Sequence, residues 1–316
     1  MAALTAEDRG LIQALKAFDV NLLWHPALSL ETGVEALDIL NDVLDGRHTL
    51  DALCIEGSVL RGPTGSGRFQ MMPGSDQSMA AWICQLAPLA RYVVAVGTCA
   101  AFGGIPMADG NVTDACGLQY EGDVQGGLLG RDFESITGLP VVNIAGCAPH
   151  PDWITETLGL LATDGLDKDQ LDTFARPLFF ANHLAHHGCS RNEYYEFKAS
   201  AQRFSHLGCL MENLGCKATQ AAGDCNLRSW NGSVGSCPDA GFPCIACTSP
   251  GFESPNDTFQ ETAKRAGIPI GLPVDMPKAW FIALAALSKS ATPERVKTNA
   301  VSDHVIVPPA RSGEKT

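Results

Sequence analysis

The residues of this 316-residue chain best suited to chemistry are cysteines concentrated between Cys189 and Cys247. Seven of the 12 cysteines fall in this run, and an odd number of thiols cannot all pair as disulfides. No secretory signal pattern opens the sequence, so we expect the thiols to be reduced and free to bind metal. The run consists of Cys189, Cys209, Cys216, Cys225, Cys237, Cys244 and Cys247.

The spacing of these cysteines favours iron–sulfur clusters over zinc. Structural zinc sites favour paired C-x2-C motifs, and only one such motif occurs in the run. Iron–sulfur clusters accept wider spacing and take thiolates, with histidine as an occasional substitute. We therefore predict two clusters, with zinc sites or buried cysteines without metal as the alternatives. The two sets of four ligands are His186, Cys189, Cys209 and Cys216, and Cys225, Cys237, Cys244 and Cys247.

Composition excludes several other classes of function. The net charge is −13 and the pI is about 5.0, and no cluster of Lys or Arg suggests contact with nucleic acid. No apolar run reaches the roughly 18 residues of a membrane-spanning helix. Residues 279–287 are apolar but too short, and they are expected to form a buried helix. With 45% hydrophobic residues, the chain is long enough for two domains.

Hydrophobic periodicity in the first half indicates strands that alternate with helices. Such alternation is typical of an α/β fold with a parallel sheet covered on both faces. Helices are predicted at 3–17, 30–44, 77–90 and 151–161, and strands at 20–24, 50–55, 92–96 and 139–144. Glu56, Cys99 and Cys147 each follow a predicted strand. Ligands of open α/β sheets bind at the carboxyl ends of the strands, so these three side chains are candidates for a third site.

Strand–helix alternation stops near residue 165, and the cysteine run shows little periodicity. A segment with so little apolar surface would take part of its folding free energy from bound metal. We therefore predict two domains, at 1–170 and 171–316. One late helix, at 277–287, is expected to pack back onto the cysteine-rich part.

Short motifs spread over nearly the whole chain resemble the small, electron-transferring subunit of nickel–iron hydrogenases, and most of all its cytoplasmic hydrogen-uptake branch. The motifs lie at residues 22–31 (LLWHPALSLE), 56–58 (EGS), 97–104 (GTCAAFGG), 146–153 (GCAPHPDW), 186–189 (HHGC), 214–217 (LGCK), 230–232 (WNG) and 244–247 (CIAC).

This resemblance implies a flavodoxin-like first domain that carries a proximal cluster, and an irregular second domain that carries medial and distal clusters. It implies Cys99 and Cys147 as proximal ligands. The distal ligands would be His186, Cys189, Cys209 and Cys216, and the medial ligands Cys225, Cys244 and Cys247.

Cys237 is a departure from the family pattern, because many members have proline at its position and hold a three-iron medial cluster. We predict that Cys237 is a fourth thiolate of a four-iron medial centre. A free thiol beside a three-iron cluster is the alternative.

Two further departures concern the proximal site. The family has a cysteine-containing turn near its start that supplies further proximal ligands, and no such turn is present in this sequence. We expect either that this turn lies upstream of Met1 or that the proximal cluster is held differently, with Cys54 or Cys116 as substitutes. Some oxygen-tolerant members carry an extra cysteine five residues after the one at Cys99, where this chain has Gly104.

The function implied is electron transfer from hydrogen oxidation at the nickel–iron centre of a large subunit to an acceptor such as a quinone or a redox protein. The protein would be cytoplasmic, with peripheral attachment to a membrane left open. Glu56 would relay protons or bond across the subunit interface, while Gly97 and Thr98 would donate hydrogen bonds to cluster sulfides. The alternatives are a cluster-bearing subunit of a related complex without hydrogenase activity and a stand-alone ferredoxin-like carrier.

Overall fold

The computed structural model of the chain describes residues 10–230, 234–254, 258–265, 268–269 and 273–303. In chain order its helices are α1 (Leu11–Ala17), α2 (Val34–Leu44), α3 (Met79–Leu86), α4 (Thr98–Phe102), α5 (Pro151–Ala162), α6 (Leu178–Ala181), α7 (Asn192–Glu196), α8 (Met211–Leu214), α9 (Lys278–Ser290) and α10 (Glu294–Ala300). Its strands are β1 (Leu50–Glu56), β2 (Val59–Leu60), β3 (Ala90–Val96), β4 (Ala115–Cys116), β5 (Tyr120–Glu121), β6 (Val124–Gln125), β7 (Val142–Ile144), β8 (Lys264–Arg265) and β9 (Ile268–Pro269).

A parallel sheet of three strands, in the order β1–β3–β7, forms the centre of the first half. Glu56 pairs with Val96, and Val96 pairs in turn with Ile144, so the three strands end side by side. The central strand β3 is buried on both faces because it is almost entirely apolar. This sheet confirms the predicted α/β class.

Helices cover the sheet on both faces, as a parallel sheet requires. On one face, α3 and α4 pack on Val93 and Ala95 of β3. On the other face, α5 and α6 pack on Tyr92 and Val94, the alternate residues of the same strand. The short antiparallel pairs β2–β4, β5–β6 and β8–β9 lie outside this sheet.

The structure corrects two predictions from periodicity. Residues 20–24 form no strand, because they find no strand to pair with in the described part of the chain, and Leu22 and Leu23 are exposed. The late helix α9 is not buried, since Trp280 is 67% exposed and only Phe281 of this helix is buried. Phe281 does pack against Tyr195, Met211 and neighbouring cysteines, which confirms the expected contact with the cysteine-rich part.

The other predicted elements are present with different bounds: α2 and α3 are shorter than predicted, whereas β1, β3 and α5 are longer. The helix expected at 3–17 is seen as α1, and residues 3–9 lie outside the described part of the chain. The last predicted strand shortens to β7. No helix among the described residues has the length and apolar character needed to cross a membrane.

Trp153 joins the sheet to the cysteine-rich half. Its indole ring is 1% exposed and stacks on Phe180 with ring centroids 4.3 Å apart. Its Nε1–H donates a 2.6 Å hydrogen bond to Oδ1 of Asp224, the residue before Cys225. One side chain on α5 therefore both fills the core and fixes the backbone beside a cysteine.

We expect Trp153→Ala to lower the free energy of unfolding by about 3–5 kcal/mol, since it leaves a large cavity and removes the donor to the buried Oδ1 of Asp224, while Arg228 still holds Oδ2. Urea unfolding followed by circular dichroism measures this loss. Trp280→Ala is the matched control, and its exposed ring predicts a change within about 0.5 kcal/mol. Equal losses for the two variants would contradict the role given to Trp153.

Candidate functional site

The carboxyl edge of the sheet brings together the three side chains predicted to meet there. Glu56 ends β1, Cys99 lies in the first turn of α4 just after β3, and Cys147 lies just after β7. The Gly97 N–H donates to the Ile144 carbonyl at 2.8 Å, and the Thr98 N–H donates to the Gly146 carbonyl at 3.0 Å. These bonds tie the two thiol-bearing loops to each other.

Gly97 and Thr98 fix the position of Cys99 through hydrogen bonds to neighbouring segments. Their N–H groups are used by the neighbouring loop, and the Thr98 hydroxyl donates a 2.5 Å hydrogen bond to the Cys247 carbonyl. Gly97 has φ of +93°, in the region that favours glycine. Both residues therefore fix where the Cys99 thiol lies.

Gly104 allows the chain to turn tightly around Cys99. A Cβ at Gly104 would lie 2.7 Å from the Cys99 Sγ, and its φ is +57°. Burial raises the pKa of the Cys99 thiol and outweighs the backbone of Ile105, which lowers it. A side chain at position 104 would collide with the thiol, which excludes a cysteine there without rearrangement.

Glu253 is an acidic neighbour of this edge that sequence reasoning missed. Its carboxylate raises the pKa of both Cys99 and Cys147, after the larger effect of burial. Its Oε2 is buried without a hydrogen-bond partner in the described part of the chain. Nothing in the sequence marks Glu253, since it lies in a loop of irregular spacing.

All four residues of the first predicted set line one cavity. His186, Cys189, Cys209 and Cys216 contribute to its wall, together with Arg191 and Tyr195. Burial raises the pKa of Cys189 to about 11 and that of Cys209 to about 12, so both thiols are neutral in the metal-free chain at pH 7. The cavity is thus a pocket of soft donors, which suits iron.

The two adjacent histidines have different surroundings. His186 lines the cavity, and burial followed by the neighbouring His187 lowers its pKa, which keeps the imidazole neutral as a metal ligand must be. His187 instead places Nε2 2.9 Å from Oδ2 of Asp275, and its Nδ1 accepts from the Leu184 N–H. The geometry favours His186 as the ligand.

Arg191 places a buried positive charge beside the three thiols of this cavity. Its guanidinium donates to the carbonyls of Pro238, His206 and Gly208 at 2.7–2.9 Å. Burial lowers the pKa of Arg191, while Cys189, Cys209 and Cys216 oppose that change. The guanidinium would therefore offset the negative charge of thiolates that hold a metal.

The second predicted set of four is also drawn together. Cys225 interacts electrostatically with Cys247 and Cys237, and Cys244 interacts with Cys225 and Cys247. Burial raises the pKa of Cys225 to about 12. Cys237 is the exposed member of this set, yet the charge of its thiolate raises the pKa of both Cys225 and Cys247.

The three groups of side chains form one continuous series. The Thr98 hydroxyl donates to the Cys247 carbonyl, and the Cys147 and Cys247 thiols interact electrostatically, which connects the sheet edge to the second set. At the other end, the Cys244 N–H donates to the Cys216 Sγ at 3.3 Å, which connects the second set to the cavity. The second set therefore lies between the other two.

The spread of these side chains suits a cluster better than a single ion. Among the described residues, no three His, Cys, Asp or Glu side chains lie close enough to hold one metal ion. A structural zinc ion would draw its thiolates to about 2.3 Å from a single centre. In a cluster each thiolate binds a different iron, so wider separation is expected.

The two substitutes considered for the proximal site do not join it. Cys116 is fully buried in the core with its Sγ 3.8 Å from the Val59 carbonyl, and burial raises its pKa to about 11. Cys54 lies in the middle of β1 and is exposed rather than part of the core. Neither thiol is among the groups that influence the pKa of Cys99 or Cys147.

Comparison with known proteins identifies both halves of the chain. Residues 1–161 match the model of the family described as NADH ubiquinone oxidoreductase, 20 Kd subunit. Residues 181–260 match the model for the C-terminal part of NiFe/NiFeSe hydrogenase small subunits.

Individual relatives cover most of the chain. The F420 non-reducing hydrogenase II small subunit of Methanosarcina mazei is 35% identical over 309 residues, covering 90% of this chain and 78% of the relative. The periplasmic [NiFeSe] hydrogenase small subunit of Desulfomicrobium baculatum is 32% identical over 76% of each chain.

Solved structures share the fold. The recombinant [NiFeSe] hydrogenase from Desulfovibrio vulgaris Hildenborough matches with a TM-score of 0.70 and 30% identity, over 82% of this chain and 92% of that chain. The actinobacterial-type NiFe-hydrogenase from Ralstonia eutropha H16 gives 0.72 and 26%, over 99% and 90%. With the cysteine groups described above, these likenesses show that the chain belongs to the family of nickel–iron and nickel–iron–selenium hydrogenase small subunits, which act in a hydrogenase together with a large subunit.

Proposed function

We propose that this chain carries electrons away from hydrogen oxidation in a heterodimer with a hydrogenase large subunit, which holds the nickel–iron centre. Three iron–sulfur clusters would supply one-electron transfer along the chain. The observation that carries this proposal is that the three groups follow one another along the chain's fold. The Thr98 hydroxyl donates to the Cys247 carbonyl at one end of the second set, and the Cys244 N–H donates to the Cys216 Sγ at the other.

The distal site is the best supported of the three. Its four ligands would be His186, Cys189, Cys209 and Cys216, which line one cavity. The same cavity is lined by Tyr195 and Thr219, each with a buried hydroxyl that has no partner among the described residues. Such orphaned polar atoms are expected where a polar guest completes the site.

In the medial site we propose four thiolate ligands and a four-iron centre. Cys225, Cys244 and Cys247 are the ligands that the family pattern implies, and Cys237 would be the fourth. The support for Cys237 is its electrostatic interaction with Cys225, Cys247 and Cys216. A three-iron cluster beside a free Cys237 is the alternative.

At the proximal site Cys99 and Cys147 would hold a four-iron or three-iron cluster together with ligands from outside the pair. Gly97, Thr98 and Gly104 position Cys99 for this task. Glu56, at the end of β1, would relay protons or bond to the large subunit at the same edge.

Three kinds of group in this chain would bind the clusters or stabilise their charge. Thiols must release protons to bind iron, and burial makes this costly until the metal compensates for it. His186 contributes a neutral ligand, which makes the distal site less negative than an all-thiolate one and favours acceptance of an electron. Arg191 and the backbone N–H groups stabilise the remaining negative charge.

The proposal extends to organisation and location. Residues 1–170 would form a flavodoxin-like domain with the proximal cluster, and residues 171–316 would form the domain with the medial and distal clusters. The final acceptor would be a quinone or a redox protein, and the location the cytoplasm. The relatives include an F420 non-reducing hydrogenase and a periplasmic hydrogenase, so the acceptor and the location must be measured for this chain.

One observation favours a second candidate, a cluster-bearing subunit of a related complex without hydrogenase activity. The first half of the chain matches a family described by a subunit of NADH ubiquinone oxidoreductase. The second half matches a hydrogenase family, and the ligands proposed for two clusters lie there. Nickel in the purified complex and hydrogen-dependent dye reduction separate the two candidates.

We expect Cys244→Ala to interrupt electron flow at the medial site, because it removes one thiolate and keeps the backbone N–H that donates to Cys216. Hydrogen–deuterium exchange at the large subunit should persist, while hydrogen-dependent dye reduction and iron content fall, the former by at least roughly tenfold. Cys84→Ala is the matched control, since Cys84 is exposed on α3 and outside all three groups. Unchanged iron and dye reduction in Cys244→Ala would refute the medial assignment.

The histidine pair offers a second test. His186→Ala removes the proposed distal ligand and should slow dye reduction by roughly tenfold. His187→Ala removes only a side chain paired with Asp275 and should leave the rate near normal. Stopped-flow oxidation of the pre-reduced complex by an external acceptor measures both. A slow His187 variant beside a normal His186 variant would reverse the ligand assignment.

A further inference from the structure

The wall of the distal cavity contains hydroxyl groups that the four ligands do not explain. Tyr195 Oη and Thr219 Oγ1 are buried and have no hydrogen-bond partner among the described residues. Both residues line the cavity with His186, Cys189, Cys209 and Cys216. A buried hydroxyl without a partner is destabilising, so a native structure normally supplies it with an acceptor.

Tyr195 is held firmly against the cavity. Its ring lies 4.4 Å from the His186 ring, centroid to centroid, and it packs with Met211 and Phe281. The Lys198 Nζ lies 3.8 Å from the centroid of the Tyr195 ring. A cation on the ring face draws electron density from the phenol, which strengthens its O–H as a donor.

The phenol of Tyr195 has one O–H donor and an oxygen that can accept. Beside thiolates and a sulfide-containing cluster, the neighbours are acceptors, and donation is the role left.

Hydrogen bonds hold the backbone of Thr219 and of the residue before it. Its side chain is 3% exposed, and its carbonyl accepts a hydrogen bond from the Val274 N–H at 3.3 Å. The preceding residue, Ala218, accepts a bond from the His186 N–H at 3.1 Å. Thr219 is thus tied to the same backbone that presents the histidine ligand.

We propose that the Tyr195 and Thr219 hydroxyls donate hydrogen bonds to sulfur atoms of the distal cluster and thereby raise its reduction potential. This inference rests on the proposed function, because it takes a distal cluster as given. Hydrogen bonds to cluster sulfur stabilise the reduced state, which is the more negative one. Together with the neutral His186 ligand, the two hydroxyls raise the reduction potential of the distal centre. A higher potential favours an electron at this centre before it passes to the acceptor.

The test uses the complete heterodimer with Tyr195→Phe, Thr219→Val and the double variant, all of which keep the shape of the side chain. An anaerobic redox titration followed by electron paramagnetic resonance should give a more negative distal midpoint potential in each variant, and the largest shift in the double. Pulsed electron–nuclear resonance after exchange into deuterium oxide should lose an exchangeable-proton coupling at the reduced distal centre. The matched control is Tyr194→Phe, a neighbouring tyrosine that does not line the cavity.

The outcomes separate this inference from the function it rests on. A wild-type complex without a reducible distal cluster would overturn the proposed function and the inference with it. A wild-type complex with that cluster, but with the same midpoint potential and proton coupling in Tyr195→Phe and Thr219→Val, would overturn the inference alone. Loss of cluster iron without any shift in the remaining centres would assign the two residues to packing and also contradict it.

Discussion

The structure depends on the attachment of one short segment, residues 244–248, to the carboxyl edge of the parallel sheet. The Thr98 hydroxyl holds the Cys247 carbonyl at 2.5 Å, and the buried Arg176 holds the Thr248 carbonyl at 2.9 Å. Thr98 belongs to the loop after β3, so the sheet itself sets the position of this segment. These bonds fix the position of Cys247 relative to Cys99 and Cys147 at the sheet edge.

Much of the fold follows from local pattern. The apolar run of β3 and the alternation of strands with helices predict a parallel sheet, and parallel sheets place their functional side chains at the carboxyl edge. Cys99 and Cys147 were found in this way. The strand predicted at 20–24 was wrong, because an apolar segment makes a strand only where a neighbouring strand pairs with it. The exposure of α9 was missed because composition does not reveal which faces find a partner.

The candidate ligands could be proposed from the sequence, whereas their surroundings could not. Residue type and spacing single out the cysteines and His186, since only thiolates and imidazoles bind iron in this way. Arg191, Tyr195, Thr219 and Glu253 carry no such signal, because arginine, hydroxyl and carboxylate side chains occur throughout any chain. Their importance comes from burial and from missing partners, and both are properties of the folded molecule. The folded structure therefore reveals residues of the distal cavity that the sequence does not mark.

The central claim is that three groups of buried, reduced side chains hold iron–sulfur clusters in series. Iron and sulfide analysis combined with Mössbauer spectroscopy of the anaerobically purified complex tests it most directly. The account predicts iron and sulfide sufficient for three clusters in this chain, with quadrupole doublets typical of four-iron centres. A chain that carries no iron, and whose thiols are oxidised or bound to zinc, would contradict it.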